Sequence, residues 1–390
     1  MENSSANPLA RRDFMRLAGG LAAGAMVSSS LWSKALAAPV VSVSAGPYGA
    51  LQAADANGIR LPARFTSRVI ARAGSIVSGT SYTWHRAPDG GATFRTSDGG
   101  FVYVSNSEAS PGGVGAIRFS AAGVITQAYA ICRGTRTNCA GGATPWGTWL
   151  TCEEHASGRV WECNPLSANS QIVRPALGTF KHEAAAVDPN SGYVYLTEDE
   201  SNGRFYRFRP NTRNNLSAGR LEVARVSGGA VSWSTVPRPN PTNPTSDPTR
   251  LQVSTSTGFN GGEGIVYNQG IVYFTTKGDN KVWEYDPRNE QISVLYQANS
   301  PSGGILTGVD NIEASAGGDL FVAEDGGNME LVLITPDNKA SAFLRVMNQG
   351  SSELTGPAFN PAGSKLYFSS QRGGTNGLGI TYEISGPFRG

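Results

Sequence analysis

The segment Asn138–Gly158, NCAGGATPWGTWLTCEEHASG, places two thiols and two adjacent carboxylates around one predicted strand. The apolar run WGTWLT predicts a buried strand, and it leads directly into Cys152, Glu153 and Glu154, with Cys139 upstream. Thiolates bind transition metals, whereas carboxylates suit hard cations such as Ca²⁺ and Fe³⁺. The segment could therefore supply ligands to a metal site, and the alternative is a disulfide between Cys139 and Cys152.

Comparable acidic residues end other predicted strands. In HEAAAVDPNSGYVYLTEDE, a turn between Asn190 and Ser191 sets Glu183 opposite Glu198 in an antiparallel hairpin. Counting outward from the other predicted turns pairs Asp310 with Asp325, Asn311 with Glu324, Glu353 with Arg372 and Asp89 with Glu108. The same counting puts Glu263 near Thr275 and Lys277.

A repeat positions these strand ends. A short strand with a central aromatic residue follows a turn at Tyr103, Trp149, Tyr195, Tyr273, Phe321 and Tyr367. The spacing is nearly constant except for one long gap, which contains the Pro-rich segment 238–250. A unit of this length with several strands is typical of a propeller blade. The sequence predicts an all-β, six-bladed β-propeller with a surface insertion at about 210–257.

Radial repetition brings equivalent strand ends together around a central channel. We therefore expect one mouth of the channel to hold a cluster of acidic residues and one thiol, which would repel one another and raise one another's pKa. Bound metal, arginine or lysine must compensate these charges. The predicted cluster consists of Cys152, Glu153, Glu183, Glu198, Asp199, Glu263, Asp310, Glu324 and Asp325.

Composition narrows the class of protein. The 390 residues include 49 glycines and 22 prolines, which favours many short strands and turns. The net charge of +2 gives no sign of a surface that binds nucleic acid.

The N-terminal segment is typical of a twin-arginine signal. It combines Arg11-Arg12-Asp13-Phe14-Met15, a mildly apolar stretch and the small residues Ala35-Leu36-Ala37. We expect a signal peptide at 1–37, which the twin-arginine export machinery recognises, and a monomeric propeller domain at 38–390, periplasmic or secreted, with no membrane span. Cys132 and Cys163 are expected to be structural.

At the acidic strand ends the chain resembles the PhoX-type alkaline phosphatase family. The resemblance implies a six-bladed propeller that holds ferric iron and calcium at the channel mouth and hydrolyses phosphate esters. It implies that one cysteine ligates iron, and we favour Cys152 over Cys139. The resemblance rests on NCAGGATPWGTWLTCEE (Asn138–Glu154), LGTFKHEAAAVDP (Leu177–Pro189), GGEGIVY (Gly261–Tyr267), GVDNIEAS (Gly308–Ser315) and SQRG (Ser370–Gly373).

Carried over by motif, the resemblance assigns roles to individual residues. Iron ligands would be Cys152, Glu183, Glu263 and Asp310. Glu153, Glu198, Glu324 and Asp325 would bind calcium or support the ligands.

The leading hypothesis is thus a metal-dependent phosphoesterase, in which a metal-bound oxo or hydroxide attacks phosphorus. Arg372 and Lys277, and also Lys181, would stabilise the phosphate oxygens of a small phosphate ester. A calcium-dependent propeller lactonase or organophosphate hydrolase is the alternative enzyme, since that chemistry needs no thiolate. A binding propeller with structural metals is the non-catalytic alternative.

Overall fold

The structure is a computed structural model that describes residues 41–298, 305–349 and 352–389. Within these ranges it contains 27 strands and three short 3₁₀-helices, and no helix among them is long and apolar enough to cross a membrane. The predicted twin-arginine signal at 1–37 lies outside the described residues. The helices are η1 (Pro175–Leu177), η2 (Thr249–Leu251) and η3 (Lys277–Asp279).

The strands form five hydrogen-bonded sheets. Three early strands join sheets that later parts of the chain build: β1 (Ser42–Val43), β2 (Ile59–Arg60) and β3 (Thr66–Arg72). One four-stranded sheet consists of β4 (Pro88–Arg95), β5 (Phe101–Ser107), β6 (Gly112–Phe119) and β7 (Ile125–Thr135). The next consists of β8 (Asn138–Ala143), β9 (Trp149–Glu153), β10 (Val160–Cys163) and β11 (Ile172–Val173).

The third sheet has nine strands. Its first part runs through β12 (His182–Val187), β13 (Val194–Glu198), β14 (Phe205–Thr212), β15 (Asn215–Ser227) and β16 (Ala230–Thr235). Its second part runs through β17 (Gly262–Asn268), β18 (Ile271–Thr276), β19 (Lys281–Asp286) and β20 (Gln291–Gln297). The predicted surface insertion at about 210–257 covers the end of β14, all of β15 and β16, and η2.

Two further sheets complete the described chain. One combines β21 (Val309–Ala314), β22 (Leu320–Glu324), β23 (Glu330–Ile334) and β24 (Lys339–Val346) with β1 and β2. The other combines β25 (Leu354–Phe359), β26 (Lys365–Ser370) and β27 (Ile380–Ser385) with β3, which pairs antiparallel to β27. Because β3 completes the last sheet, backbone hydrogen bonds join an early and a late segment of the described chain.

The fold is an all-β, propeller-like arrangement, but the prediction of six separate blades is corrected. Four sheets stand alone, and the remaining strands share the nine-stranded sheet. The two parts of that sheet are joined by a single pair, Ala230 with Gln291, because β16 extends the first part as far as β20. The first strands of the successive runs, β4, β8, β12, β17, β21 and β25, contact one another in a closed ring.

Packing between neighbouring sheets explains the aromatic repeat. Strands such as β5 are buried along their whole length, because both faces contact another sheet. Tyr103 on β5 stacks on Tyr367 on β26 with ring centroids 4.9 Å apart. Phe205 on β14, in the first part of the nine-stranded sheet, likewise stacks on Phe274 on β18 in its second part at 4.6 Å. Aromatic residues therefore fill the space between neighbouring runs of strands and hold the inner strands around the axis.

Candidate metal centre

A β-bulge interrupts each of the six inner strands at the same point. A bulge adds one residue to a strand and re-aims the side chains beside it. The register shifts follow Pro88, Asn138, His182, Gly262, Val309 and Thr355. The residues that come next are Asp89, Cys139, Glu183, Glu263, Asp310 and Gly356. Five of these six positions thus carry a carboxylate or a thiol.

Side chains of neighbouring strands satisfy the backbone carbonyls that the bulges free from their ladders. The Thr197 hydroxyl on β13 donates to the carbonyl oxygen of Glu263 at 2.5 Å. In the same way, the Thr275 hydroxyl on β18 donates to the carbonyl oxygen of Asp310 at 2.6 Å. Since a buried backbone carbonyl without a partner is costly, these threonines stabilise the bulges and fix where the acidic side chains lie.

The side chains at the bulges open into a cavity of about 170 Å³ at one mouth of the ring. Six residues that the sequence predicted for this site line it, namely Glu183, Glu263, Lys277, Asp310, Asp325 and Arg372. Six more lining residues were not assigned to the site in advance: Asp89, Glu108, Cys139, Glu154, Glu353 and Gln371.

Glu183 lies at the centre of this cavity. It belongs to two sets of potential metal ligands, one with Cys139 and Glu154 and the other with Glu263 and Asp310. Within each set, the ligand atoms lie within 4.8 Å of one another. Glu183 is 0% exposed, and neither of its carboxylate oxygens has a hydrogen-bond partner. A buried, unpartnered carboxylate carries a large desolvation cost, which a bound cation would relieve.

Burial raises the pKa of most acidic groups in the cavity, and their mutual repulsion adds to the effect. The pKa of Asp310 rises to about 7 through burial, although Lys277 opposes the shift. Burial and the nearby Asp310 carboxylate raise the pKa of Glu353 to about 8. The pKa values of Glu183 and of the Cys139 thiol are also raised, mainly by burial. Without added positive charge, the site therefore holds protons near neutral pH.

Three cationic side chains surround the cavity, and each bridges two carboxylates. For Lys277, burial disfavours the charged ammonium, but the carboxylates of Glu263 and Asp310 outweigh burial and raise its pKa. The Lys277 ammonium lies 2.9 Å from Glu263 and 3.3 Å from Asp325. The bridges are Lys181 between Glu154 and Asp199, Lys277 between Glu263 and Asp325, and Arg372 between Glu353 and Glu108.

Gln371 is a further polar residue in the cavity. Its side-chain amide donates hydrogen bonds to Asp89 and, at 2.7 Å, to Glu108. The predicted hairpin register pairs Asp89 with Glu108, but it does not assign either residue to the site. The signal that could have found Asp89 is its place in the repeat, because it is the acidic residue equivalent to Glu183 and Asp310.

Three of the predicted ligands, Glu153, Glu198 and Glu324, do not line the cavity. Side chains alternate between the two sides of a strand, so the residue after each of them is the one that turns toward the mouth. These residues are Glu154, Asp199 and Asp325, of which Glu154 and Asp325 line the cavity. Asp199 accepts a hydrogen bond from Lys181 at 2.7 Å.

The displaced carboxylates hold loops instead. Glu153 accepts hydrogen bonds from the backbone N–H groups of Arg136 and Arg159 at 2.9 and 3.2 Å. Glu324 accepts equivalent bonds from Thr307 and Glu330 at 2.9 and 3.1 Å. These bonds occupy carboxylate oxygens that a metal ion would need.

Glu198 has the same structural role. It accepts hydrogen bonds from the Arg204 backbone N–H at 3.1 Å and from the Tyr206 hydroxyl at 2.9 Å, and Arg250 lies 3.2 Å away. Burial raises the pKa of Glu198 to about 7, despite the Arg250 charge. Glu198 therefore lies outside the acidic cavity, and its predicted role as a ligand or as a support for the ligands stays a prediction.

The structure places Cys139, and not Cys152, in the acidic cavity. Cys152 is 0% exposed and packs in an apolar cluster with residues such as Leu150 and Val160. Cys139 lines the acidic cavity. The bulge after Asn138 causes the difference, since it re-aims the Cys139 side chain while Cys152 stays in the regular ladder with Val160. The two thiols thus lie in different environments, one polar and one apolar.

Comparisons with known proteins give the family and the fold. The sequence model of the family described as alkaline phosphatase PhoX matches residues 109–164 and 155–374. No curated protein sequence matches the chain.

Solved structures share the fold. The structure of Pseudomonas fluorescens PhoX in complex with vanadate, a transition state analogue, is 18% identical, with a TM-score of 0.72 over 86% of this chain and 97% of that chain. A Xanthomonas campestris gluconolactonase is 12% identical, with a TM-score of 0.50 over 88% and 99% of the two chains. A Bacteroides thetaiotaomicron protein of unknown function is 10% identical, with a TM-score of 0.52 over 82% and 76%.

The family match covers most of the described chain, including five of the six bulged strands and both sets of potential ligands. Ten of the twelve residues that line the acidic cavity lie within the matched region, and Asp89 and Glu108 precede it. On these grounds the chain belongs to the PhoX family of alkaline phosphatases and is a metal-dependent phosphoesterase.

Proposed function

We propose that the acidic cavity is the metal centre and the active site of this phosphoesterase. The observation that supports it most strongly is Glu183, whose two buried oxygens have no hydrogen-bond partner and which both sets of ligands share. A surplus of carboxylates over cationic side chains lines the cavity. Bound cations would balance this surplus, and the donor atoms present fit such ions.

The two sets of ligands suit different ions. The set of Cys139, Glu154 and Glu183 combines a thiol with carboxylates, and we assign Fe³⁺ to it because a thiolate favours a transition metal. The set of Glu183, Glu263 and Asp310 contains only carboxylates, so it suits either a second Fe³⁺ or Ca²⁺. Asp325, Asp89, Glu108 and Glu353 line the same cavity and could hold Ca²⁺.

When bound, the metal ions would neutralise the carboxylates, polarise the phosphate oxygens and activate water as the nucleophile. The chain itself would contribute Lys277 and Arg372 at the rim. Both are donors without acceptor atoms, so they suit the equatorial oxygens on which charge develops during phosphoryl transfer. Their present carboxylate partners hold them beside the cavity and keep them charged.

The thiol in the cavity favours this proposal over a calcium-dependent lactonase. Calcium binds oxygen ligands and has no use for a buried thiol. Cys139 is 8% exposed and lies within 4.8 Å of Glu154 and Glu183, so its position is consistent with a transition-metal ligand.

We further propose that the protein is exported by the twin-arginine route and acts as a monomer on a small phosphate ester in the periplasm or outside the cell. This route carries folded proteins with their cofactors inserted. It would let the metal centre assemble before export.

The test compares Glu183→Gln with Glu198→Gln. Both residues are buried carboxylates of the same hairpin, but only Glu183 lines the cavity. We expect E183Q to lose bound iron or calcium and at least about 10²-fold of the hydrolysis of p-nitrophenyl phosphate, as loss of a metal ligand would cause. E198Q should keep its metal content. If E183Q kept both metal and activity, the proposed centre would be wrong.

A further inference from the structure

Two cysteines outside the metal centre lie together at a boundary between sheets. Cys132 lies on β7 of the first four-stranded sheet, and Cys163 ends β10 of the next sheet. Each thiol influences the other, because the Cys163 side chain lowers the pKa of Cys132 and the Cys132 side chain raises the pKa of Cys163. Both belong to one apolar cluster, in which Cys132 is 1% exposed and Cys163 is 0% exposed.

Backbone hydrogen bonds join the two sheets beside these cysteines. In the segment that follows Cys163, the backbone N–H groups of Asn169 and Ser170 donate to the carbonyl oxygens of Ala130 and Ile131 on β7, at 3.0 and 2.9 Å. These bonds fix the segment after Cys163 against the residues just before Cys132, so both cysteines are held at the same boundary between sheets.

The other two cysteines are unsuitable partners. Cys139 lines the acidic cavity, and Cys152 packs in a separate apolar cluster with Leu150 and Val160. All four cysteines of the chain are free thiols in the structure, and Cys132 and Cys163 are the two that share one apolar cluster.

We propose that Cys132 and Cys163 form a disulfide when the protein meets a low-molecular-weight disulfide such as oxidised glutathione, and that Cys139 and Cys152 remain thiols. In the first step, the Cys132 thiolate attacks one sulfur of the glutathione disulfide and releases one glutathione thiolate. The Cys163 thiolate then attacks the Cys132 sulfur, closes the new S–S bond and releases the second glutathione. Two cysteine thiols are oxidised, one glutathione disulfide is reduced, and the two protons pass to the released thiolates.

Cys132 is suited to the first attack. The neighbouring Cys163 thiol lowers the pKa of Cys132, whereas the Cys132 thiol and burial raise the pKa of Cys163. The thiolate is the nucleophile in exchange, so the cysteine with the lower pKa reacts first.

The disulfide would close the loop between residues 132 and 163, which carries Cys139 and Glu154 of the proposed metal centre. A cross-link of this kind stabilises a protein by restricting its unfolded chain. It would also protect Cys139 from pairing wrongly under oxidising conditions, because the most favourable partner thiols would already be consumed.

The test maps the cysteines of the full chain. One sample of native protein is incubated with a glutathione redox buffer, and a second is refolded in it, since burial slows exchange. Each sample is then denatured, and its thiols are alkylated in one portion before reduction and in a second portion after reduction. We expect two alkylated cysteines before reduction and four after it, with one cross-linked peptide pair that joins Cys132 to Cys163. Reduction should lower the melting temperature by several degrees.

Single variants serve as controls. In Cys132→Ala the cross-link should disappear and the three remaining thiols should react, whereas in Cys152→Ala the Cys132–Cys163 cross-link should persist. Four reactive thiols in both wild-type samples, or a cross-link through Cys139 or Cys152, would overturn the proposal.

Discussion

Glu183 is a single residue that both bears an electrostatic cost of burial and offers the oxygen atoms that a metal ion would bind. Its buried carboxylate has no hydrogen-bond partner, and nearby Glu263 and Glu154 add to the effect of burial on its pKa. By contrast, Glu324 is equally buried but accepts two backbone hydrogen bonds. Carboxylates of the same burial thus divide into those that hold loops and those that remain open to a cation.

At this scale, replacing Cys139 with alanine should remove the transition metal, because the variant loses the one thiol that lines the cavity. Cys152→Ala should keep the metal and instead lower the free energy of unfolding by roughly 1–3 kcal/mol, since Cys152 packs in an apolar cluster. Metal analysis and urea unfolding of both variants check this. Loss of iron from C152A but not from C139A would restore the preference for Cys152.

At the scale of elements, the inner strands approach one another so closely that some positions tolerate only glycine. A Cβ atom on Gly142 of β8 would lie 1.8 Å from the carbonyl oxygen of Ala185 on β12. Gly142 lies three residues beyond Cys139, and Ala185 lies two residues beyond Glu183. This contact therefore sets the spacing between two strands that supply ligands.

Gly142→Ala should accordingly destabilise the protein by about 2 kcal/mol or more, because the backbone of one inner strand must move. Gly134→Ala is the matched control: nothing lies within 4 Å of its Cβ position, and its φ of +72° gives only the conformational cost of an alanine, about 1 kcal/mol. Urea midpoints compare the two. G142A should also bind metal more weakly, whereas G134A should not. Equal destabilisation would contradict the close approach of β8 and β12.

At the scale of the whole molecule, the ring concentrates negative charge at one mouth, and folding must overcome the repulsion. Eight carboxylates line the cavity together with Lys277 and Arg372. The threonine bonds at the bulges, the aromatic packing between sheets and the pairing of β3 with β27 hold these groups together. Bound cations would turn this repulsion into attraction, so metal binding and folding are expected to be coupled.

The raised pKa values in the cavity predict how the stability of the metal-free protein depends on pH. Folding raises the pKa of Asp310 and Glu154 to about 7 and that of Glu353 to about 8, mainly through burial. The folded state then binds more protons than the unfolded chain. The stabilisation that these three groups contribute is therefore fully present below about pH 4 and is lost as pH rises toward 8. Calorimetry in a chelator should therefore give a higher melting temperature at about pH 5 than at about pH 8.5.

With iron and calcium restored, this dependence should weaken or reverse, because metal ions bind the deprotonated ligands and stabilise only the folded state. A chelated protein whose melting temperature rises between these two pH values would contradict the proposed charge balance.

The amino-acid sequence by itself determined that the chain is all-β, that its strands repeat, and that acidic residues end those strands at one side. It also identified Glu183, Glu263, Asp310, Asp325, Lys277 and Arg372 as residues of one mouth. These features follow from local composition, turn positions and regular antiparallel pairing, which a linear pattern records.

Only the tertiary structure decided which side chain at each strand end enters the cavity. The bulges shift the register by one residue, and such a shift moves side chains to the other face of a strand. For this reason Cys139, and not Cys152, lines the cavity. The sequence pattern also does not predict that two runs of strands join in one nine-stranded sheet. This joining depends on the pairing of Ala230 with Gln291, which lie far apart in the chain.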